Sequence, residues 1–232
     1  MIRIRELSFG FTDRPLFDDV SLDLPDRGLI ALTGPNGVGK TTLLRVLGGV
    51  YRSRTEVTTS AGRPAKAIYL DADFLTLDTL TVQELLGLLA AELPGVAGDR
   101  LLGSPLITDG MRSDAVGTLS LGQRQRCVIA VASSLTGVDA VLLDEPFNAL
   151  DADGVAVARQ ELADLARSRP VLFATHLTAD IHAFAHHVLQ VDGLGGMTLA
   201  PTGTVERPPS CGPAKADRAL VAVEGGSPPW QC

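Results

Sequence analysis

Short uninterrupted apolar runs alternate along this chain with longer stretches whose apolar residues recur at helical spacing. Residues 2–9 and 21–24 carry strand patterns around the turn-rich Thr12, Asp13, Arg14 and Pro15. Residues 29–33, 67–70, 141–143 and 171–174 are continuous apolar runs, the pattern of strands buried on both faces. A last strand pair is expected to flank residues 192–196. Helical periodicity follows Lys40, with Leu43, Leu44, Val46 and Leu47 apolar and Gly48 and Gly49 as the stop. A second helix spans residues 81–93, with Thr81 as N-cap and Glu84 as its capping-box partner. Ser120 caps a third that runs to about Ser134, and residues 155–167 form a fourth. Residues 51–66 are polar and broken, and 94–118 hold helical pieces that the pattern does not locate. Strands alternating with helices predict an α/β fold with a largely parallel sheet and crossover helices.

Composition narrows this picture. The chain has 232 residues, enough for one α/β domain with a sizeable core. Residues 1–200 are read as that domain. From Pro201 onward the periodicity fades and prolines crowd, so 201–232 is read as a loosely ordered Pro/Gly-rich tail. The formal net charge is −7, which argues against a sequence-independent grip on nucleic acid. Cys127, Cys211 and Cys232 have no metal-ligand spacing and fit a reducing, cytoplasmic compartment. The chain's opening alternates like a strand and lacks a signal peptide's apolar core, and no stretch approaches the ~20 apolar residues that span a bilayer. Any membrane role is therefore expected to come through a partner. Lysine is scarce: Lys40, Lys66 and Lys215 stand among 20 basic residues, so a lysine inside a motif carries weight.

One of them does sit in a motif. Gly34, Pro35, Asn36, Gly37, Val38, Gly39, Lys40 and Thr41 match G-x-x-x-x-G-K-[ST] between a buried strand and a helix. Glycines let backbone N–H groups converge on phosphate oxygens, and the helix start adds a favourable dipole. Lys40 would reach the β- and γ-phosphates, and Thr41 would hold Mg²⁺. A nucleoside triphosphate site is expected here. The loop alone does not choose the reaction, because many P-loop proteins share it.

Further motifs do choose. Leu119, Ser120, Leu121, Gly122 and Gln123 open a helix, the run 141–143 ends in Asp144, Glu145 and Pro146, Asp151 follows, and His176 ends the next strand. In these parts and their order, over residues 2–200, the chain resembles the ATP-binding cassette (ABC) ATPases, the nucleotide-binding subunits of ABC transporters. The resemblance implies a P-loop NTPase core with an antiparallel β-subdomain, trimmed here, and a helical signature subdomain over about 74–135. Asp144, at a strand end, would hold the Mg²⁺ water shell opposite Thr41, and Glu145 would polarise the attacking water. By resemblance, His176 is the γ-phosphate switch histidine, and Phe11 occupies the adenine-stacking position while being equally a candidate core residue. Thr42 and the amides of Val38 and Gly39 complete the phosphate contacts. Residues 119–123 look like the family signature, with Leu121 where glycine is common. In the family, the signature of one subunit closes over the nucleotide of the other, so Ser120, Gly122, Gln123 and Asp151 imply a homodimer or heterodimer enclosing ATP and Mg²⁺. His182, His186 and His187 suggest a metal by spacing, but no zinc motif supports it and a solvated helix face is the simpler reading.

One departure stands out. The family usually has glutamine where this chain has Ala72, between Asp71 and Asp73. Ala72 cannot touch a cation, so Asp73 or Asp71 is the candidate substitute at the metal. The leading expectation is an ATPase subunit driving an ABC transporter through transmembrane permease subunits on a separate chain, peripheral on the cytoplasmic face of the membrane. Export is the favoured direction, because the tail is short and lacks a β-rich regulatory extension. The alternatives are a soluble ABC ATPase acting in assembly or repair, and a poorly hydrolysing regulatory module.

Overall fold

The computed structural model describes residues 1–11, 14–93, 95–176, 184–193 and 195–202. Two sheets organise it. The larger has six strands in the order β5 (Ala67–Leu70), β6 (Ala140–Asp144), β7 (Pro170–Ala174), β3 (Gly28–Thr33), β8 (His187–Val191) and β9 (Met197–Pro201). All neighbours in it are parallel except the β8–β9 hairpin, which flanks residues 192–196 as expected. Its central strands are buried on both faces. Leu29, Ala31, Val141, Leu143, Val171 and Phe173 join one core with the helical side of the molecule. Ile30, Leu32, Leu142 and Leu172 join a second core under α1 (Lys40–Leu47).

The smaller sheet is antiparallel, in the order β2 (Arg14–Leu24), β1 (Ile2–Phe11), β4 (Glu56–Thr59). It corrects the sequence reading twice. Arg14 and Pro15 are not turn residues: they pair with Phe11 and Gly10, and β2 runs on through the polar Asp18 and Asp19. Left-handed backbone at Glu6 and Asp19 (φ 53° and 51°) interrupts the register, and Ser21 and Ser8 hydroxyls accept from the freed amides. This irregularity breaks the period-2 signal without ending the strand. The polar segment 51–66 also holds a strand, β4, paired with β1 from Ile2↔Thr59 to Arg5↔Glu56. Thr12 and Asp13 lie outside the described residues, as does 203–232, most of the expected tail.

The helical part comprises α2 (Val82–Glu92), the short α3 (Gly98–Leu102) and α4 (Asp109–Arg112), and α5 (Leu121–Ser134). Leu85, Leu86, Leu101, Met111, Val116 and Val128 pack together and continue into the sheet's core. The expected capping box at Thr81 is present, and the expected cap at Ser120 is a capping box as well. Thr81 Oγ1 accepts from Glu84 N while Glu84 accepts from Thr81 N, and Ser120 and Gln123 repeat the exchange at α5. The helix expected from 155 begins earlier, as α6 (Ala152–Ala166), because Asp151 caps it by accepting from Gly154 N at 2.9 Å.

Candidate active site

The phosphate loop leaves the C-terminal end of β3, where ligands of open parallel sheets bind. Gly34 has φ 146°, and a Cβ there would lie 2.4 Å from the Val191 carbonyl oxygen, so only glycine lets the loop leave the sheet between its strands. The loop ends at Gly39, which opens α1 with no side-chain cap. Lys40 lies back over the loop, its Nζ donating to the carbonyls of Gly34 (2.9 Å) and Pro35 (3.1 Å). Beside it runs a cleft of about 620 Å³ lined by Phe11, Leu16, Asn36, Gly37, Gly39, Lys40, Thr41, Thr42, Asp144 and Glu145. The parallel register Leu143↔Phe173 and Asp144↔Ala174 carries the two carboxylates to the end of β6, facing the loop.

Phe11 belongs to the cleft, not to the core. It is 51% exposed, with Phe9 edge-on at 5.2 Å and Tyr51 edge-on at 5.9 Å behind it. Such a braced, open ring suits stacking on a flat base. Glu145 is backbone-strained, with φ 46°. Its amide donates to the Ala174 carbonyl (3.2 Å), and its Oε2 lies 3.0 Å from His176 Nδ1. The carboxylate can only accept, so this contact places the imidazole proton on Nδ1.

The other expected residues do not line this cleft. Ser120 and Gln123 cap α5 with each other, at the helical end of the molecule. Gly122 sits against the Ala149 carbonyl, where a Cβ would approach to 2.3 Å. Asp151 is paired with Arg126 at 2.6 Å. The Gly154 amide and then Arg126 hold the Asp151 carboxyl below the usual carboxylate range. Cys127 is on the packed face of α5, where burial pushes its thiol up to about 12. His186 Nδ1 accepts from Leu29 N (3.0 Å), clipping β3 to the entry of β8, and His182 lies outside the described residues. Among the described residues, no cluster of three His, Cys, Asp or Glu could hold a metal by itself.

Asp73 is exposed on a 3-10 turn (Ala72–Phe74) and does not line the cleft. Asp71 is committed elsewhere. Its Oδ1 accepts from Asp73 N, while its Oδ2 lies 3.2 Å from Arg45 and 2.8 Å from the Tyr69 hydroxyl. That hydroxyl is also 3.3 Å from Asp144 Oδ2, and Arg45 Nε donates to it. Burial, ahead of the neighbouring carboxylates, raises the Tyr69 pKa, so the phenol remains a proton donor. Arg45, Tyr69 and Asp71 thus form a polar bridge from α1 to Asp144 that motif reading missed. Only the sheet register, with Tyr69 beside Leu142, brings them together.

Fold and site together define a P-loop ATPase with a separate signature helix. The family model described as "ABC transporter" matches residues 17–148. The chain is 36% identical over 199 residues to an aliphatic sulfonates import ATP-binding protein of Paracoccus denitrificans, covering 81% of this chain and 78% of that one. It is 32% identical over 218 residues to a cytochrome c biogenesis ATP-binding export protein of Photobacterium profundum, covering 82% and 98%. A solved ATP-binding subunit of an ABC transporter shares the fold, with a TM-score of 0.72 at 22% identity over 86% and 89% of the two chains. The chain belongs to the ABC transporter ATP-binding family and is an ABC-type ATPase. The preference for export is not sustained, since the relative named for import matches at the higher identity. No helix among the described residues is long and apolar enough to cross a membrane.

Proposed function

We propose that this chain binds ATP with Mg²⁺ in the cleft beside Lys40 and hydrolyses it with Glu145 as general base. It would act as one half of an ATPase dimer that drives transport through separate transmembrane subunits. The observation that carries this reading is the Glu145–His176 contact at 3.0 Å, on the same cleft as the phosphate loop. Residues 1–200 would form the nucleotide-binding domain, with its helical subdomain over about 74–135.

Mg²⁺ fits the donors present. The Thr41 hydroxyl and the Asp144 carboxylate line one cleft, and hard oxygens are what this cation takes. When bound, Mg²⁺ would neutralise charge building on the β- and γ-phosphates. The chain's own groups do the rest. The uncapped amides at the start of α1 meet phosphate oxygens, with Asn36, Gly37, Val38 and Gly39 contributing loop backbone. Lys40 exchanges the carbonyls of Gly34 and Pro35 for the β- and γ-phosphates. Phe11 stacks on adenine. Glu145 takes the proton of the attacking water, while the Nδ1 proton of His176 holds the carboxylate in place.

Ser120, Gly122, Gln123 and Asp151 stand apart from this cleft, which supports the reading that they serve a second subunit's nucleotide. The groove around Asp71 to Leu89, where Leu77 (45%) and Leu88 of α2 (43%) are exposed, would receive a cytoplasmic helix of the transmembrane partner, keeping the chain peripheral to the membrane. Uptake is the direction the 36% identical import relative supports. The intact Glu145–His176 pair favours hydrolysis over a purely regulatory role despite Ala72.

Glu145→Gln tests the reading. Turnover is expected to fall at least about a hundredfold while ATP-bound dimers accumulate on gel filtration. Unchanged turnover removes Glu145 as the base. Purification from detergent-solubilised membranes, with reconstitution, tests the transport half: a multispan protein that co-purifies should stimulate the ATPase, and a chain that stays cytosolic and unstimulated favours the assembly-factor alternative.

A further inference from the structure

Helix α5 touches the segment after β6 at three points. Gly122 lies against the Ala149 carbonyl, Arg126 pairs with Asp151, and between them Gln125 reaches Glu145 itself. Gln125 is 3% exposed, and its Nε2 donates to the Glu145 carbonyl at 3.2 Å. The amide cannot be reversed, because that would set two acceptor oxygens against each other. Its Oε1 is buried and meets no donor among the described residues. A half-satisfied buried amide is a poor choice for stability alone, since an apolar side chain of equal size carries no such cost. What the amide does provide is a hold on one peptide unit, and that unit belongs to a residue at φ 46°. A left-handed glutamate needs outside constraint to stay there. Its amide is held by Ala174 and its carboxylate by His176, while its carbonyl accepts from the Asn148 amide (3.1 Å) within the same turn and from Gln125, which alone among these contacts comes from α5.

We propose that Gln125 is a positioning residue for the water-activating carboxylate, tying the geometry of Glu145 to the signature helix of the same chain. This rests on the reading of Glu145 as general base. Movement of α5 when Ser120 and Gly122 engage the second subunit's nucleotide would then reach Glu145 through one side chain. Each chain would hydrolyse its own ATP only with α5 seated.

The test uses full-length protein carrying Gln125→Leu, which keeps the volume and removes the donor, with Gln125→Met as a second variant should the branched side chain disturb packing. The expected result is a kcat for ATP hydrolysis about tenfold lower, with KM for ATP within about twofold of the parent and little change in Tm. Val128→Ala, buried on the same helix with no polar link to Glu145, should lower Tm while leaving kcat within about twofold. In a Glu145→Gln background, Gln125→Leu should leave the ATP-dependent dimer population unchanged, because the group it positions no longer acts. The proposal is overturned if both Gln125 variants keep the parent kcat. It is equally overturned if Val128→Ala lowers kcat as much, or if Gln125→Leu weakens ATP-dependent dimerisation in the Glu145→Gln background, since either outcome marks a packing role. Normal turnover in Glu145→Gln alone would instead remove the reading beneath it.

Discussion

Two helices of this chain start in opposite ways. Helix α1 opens at Gly39 with its first amides unmet by any side chain, whereas α5 opens at Ser120 with its end closed by a reciprocal capping box. A free helix start leaves up to four unsatisfied N–H groups, and these are what a phosphate takes. At α1 the fold leaves that need in place and frames it with a glycine-rich loop. At α5 the sequence satisfies part of the need locally, through Ser120 Oγ and Gln123 Oε1. On the proposed reading, the phosphate loop serves a ligand within one chain, while the signature helix is capped by its own residues and would bind phosphate only when another chain brings it. Helix α2 is the internal control, since Thr81 and Glu84 form the same box where no phosphate site is proposed.

The comparison can be broken hardest at Lys40. Lys40→Ala leaves the loop backbone intact and should abolish ATPase activity, a loss of at least about a hundredfold, with ATP binding measured calorimetrically weakened as well. Wild-type turnover would show that the loop does not serve phosphate. Next comes Gly122→Ala. A Cβ 2.3 Å from the Ala149 carbonyl must push α5 off its seat, so Tm should fall by an amount equivalent to about 1–3 kcal/mol and ATPase with it, while ATP affinity at α1 persists. Equal loss of ATP binding would mean that the two helix starts are not separate half-sites.

A finer cut pairs Ser120→Ala with Thr81→Ala. Each removes an N-cap worth about 1 kcal/mol, so thermal melts should shift alike. Only Ser120→Ala should also reduce turnover, by several-fold; equal ATPase in the two variants would reduce the signature serine to a cap. The smallest effect separates the two boxes by charge. The Thr81 amide and then its hydroxyl hold the Glu84 carboxyl below its usual range. A lowered carboxylate pKa contributes stability above its unfolded value and loses it as pH falls through the lowered one. The α2 cap should therefore loosen in acid, while the α5 cap, built on neutral Gln123, should not; amide exchange at the two helix starts would read the difference. Gln123→Glu should keep the cap but weaken ATP-dependent dimerisation, by placing an anion where phosphate is proposed to arrive.

Much of the site was legible because its parts are local. The phosphate loop, the Thr81–Glu84 capping box, the Ser120 cap and the buried strands ending in Asp144 and Ala174 depend on residues adjacent in sequence. What escaped was set by register and burial. Strand β4 is short, polar and recognisable only by its pairing with β1. Arg14 and Pro15 read as a turn because a bulged ladder lacks a clean alternation. Gln125, between Arg124 and Arg126, reads as one more solvated polar residue until packing of α5 on the 145–151 segment buries it. Tyr69 and Arg45 have no motif, and become a bridge to Asp144 only when β5 lies beside β6.

By itself the sequence determined that this protein has a phosphate loop, the order of its buried strands and longer helices along the chain, and the residue types available for chemistry, because φ preferences, caps and apolar periodicity act over a few residues. The tertiary structure decided which of those residues share a cleft. It drew Phe11 out of the core to the cleft mouth, and it set Glu145 in a strained turn held by His176, Ala174 and Gln125. It also kept Ser120 and Gly122 away from Lys40. Those outcomes depend on strand register and helix seating, which bring together residues tens of positions apart and leave no local pattern to read.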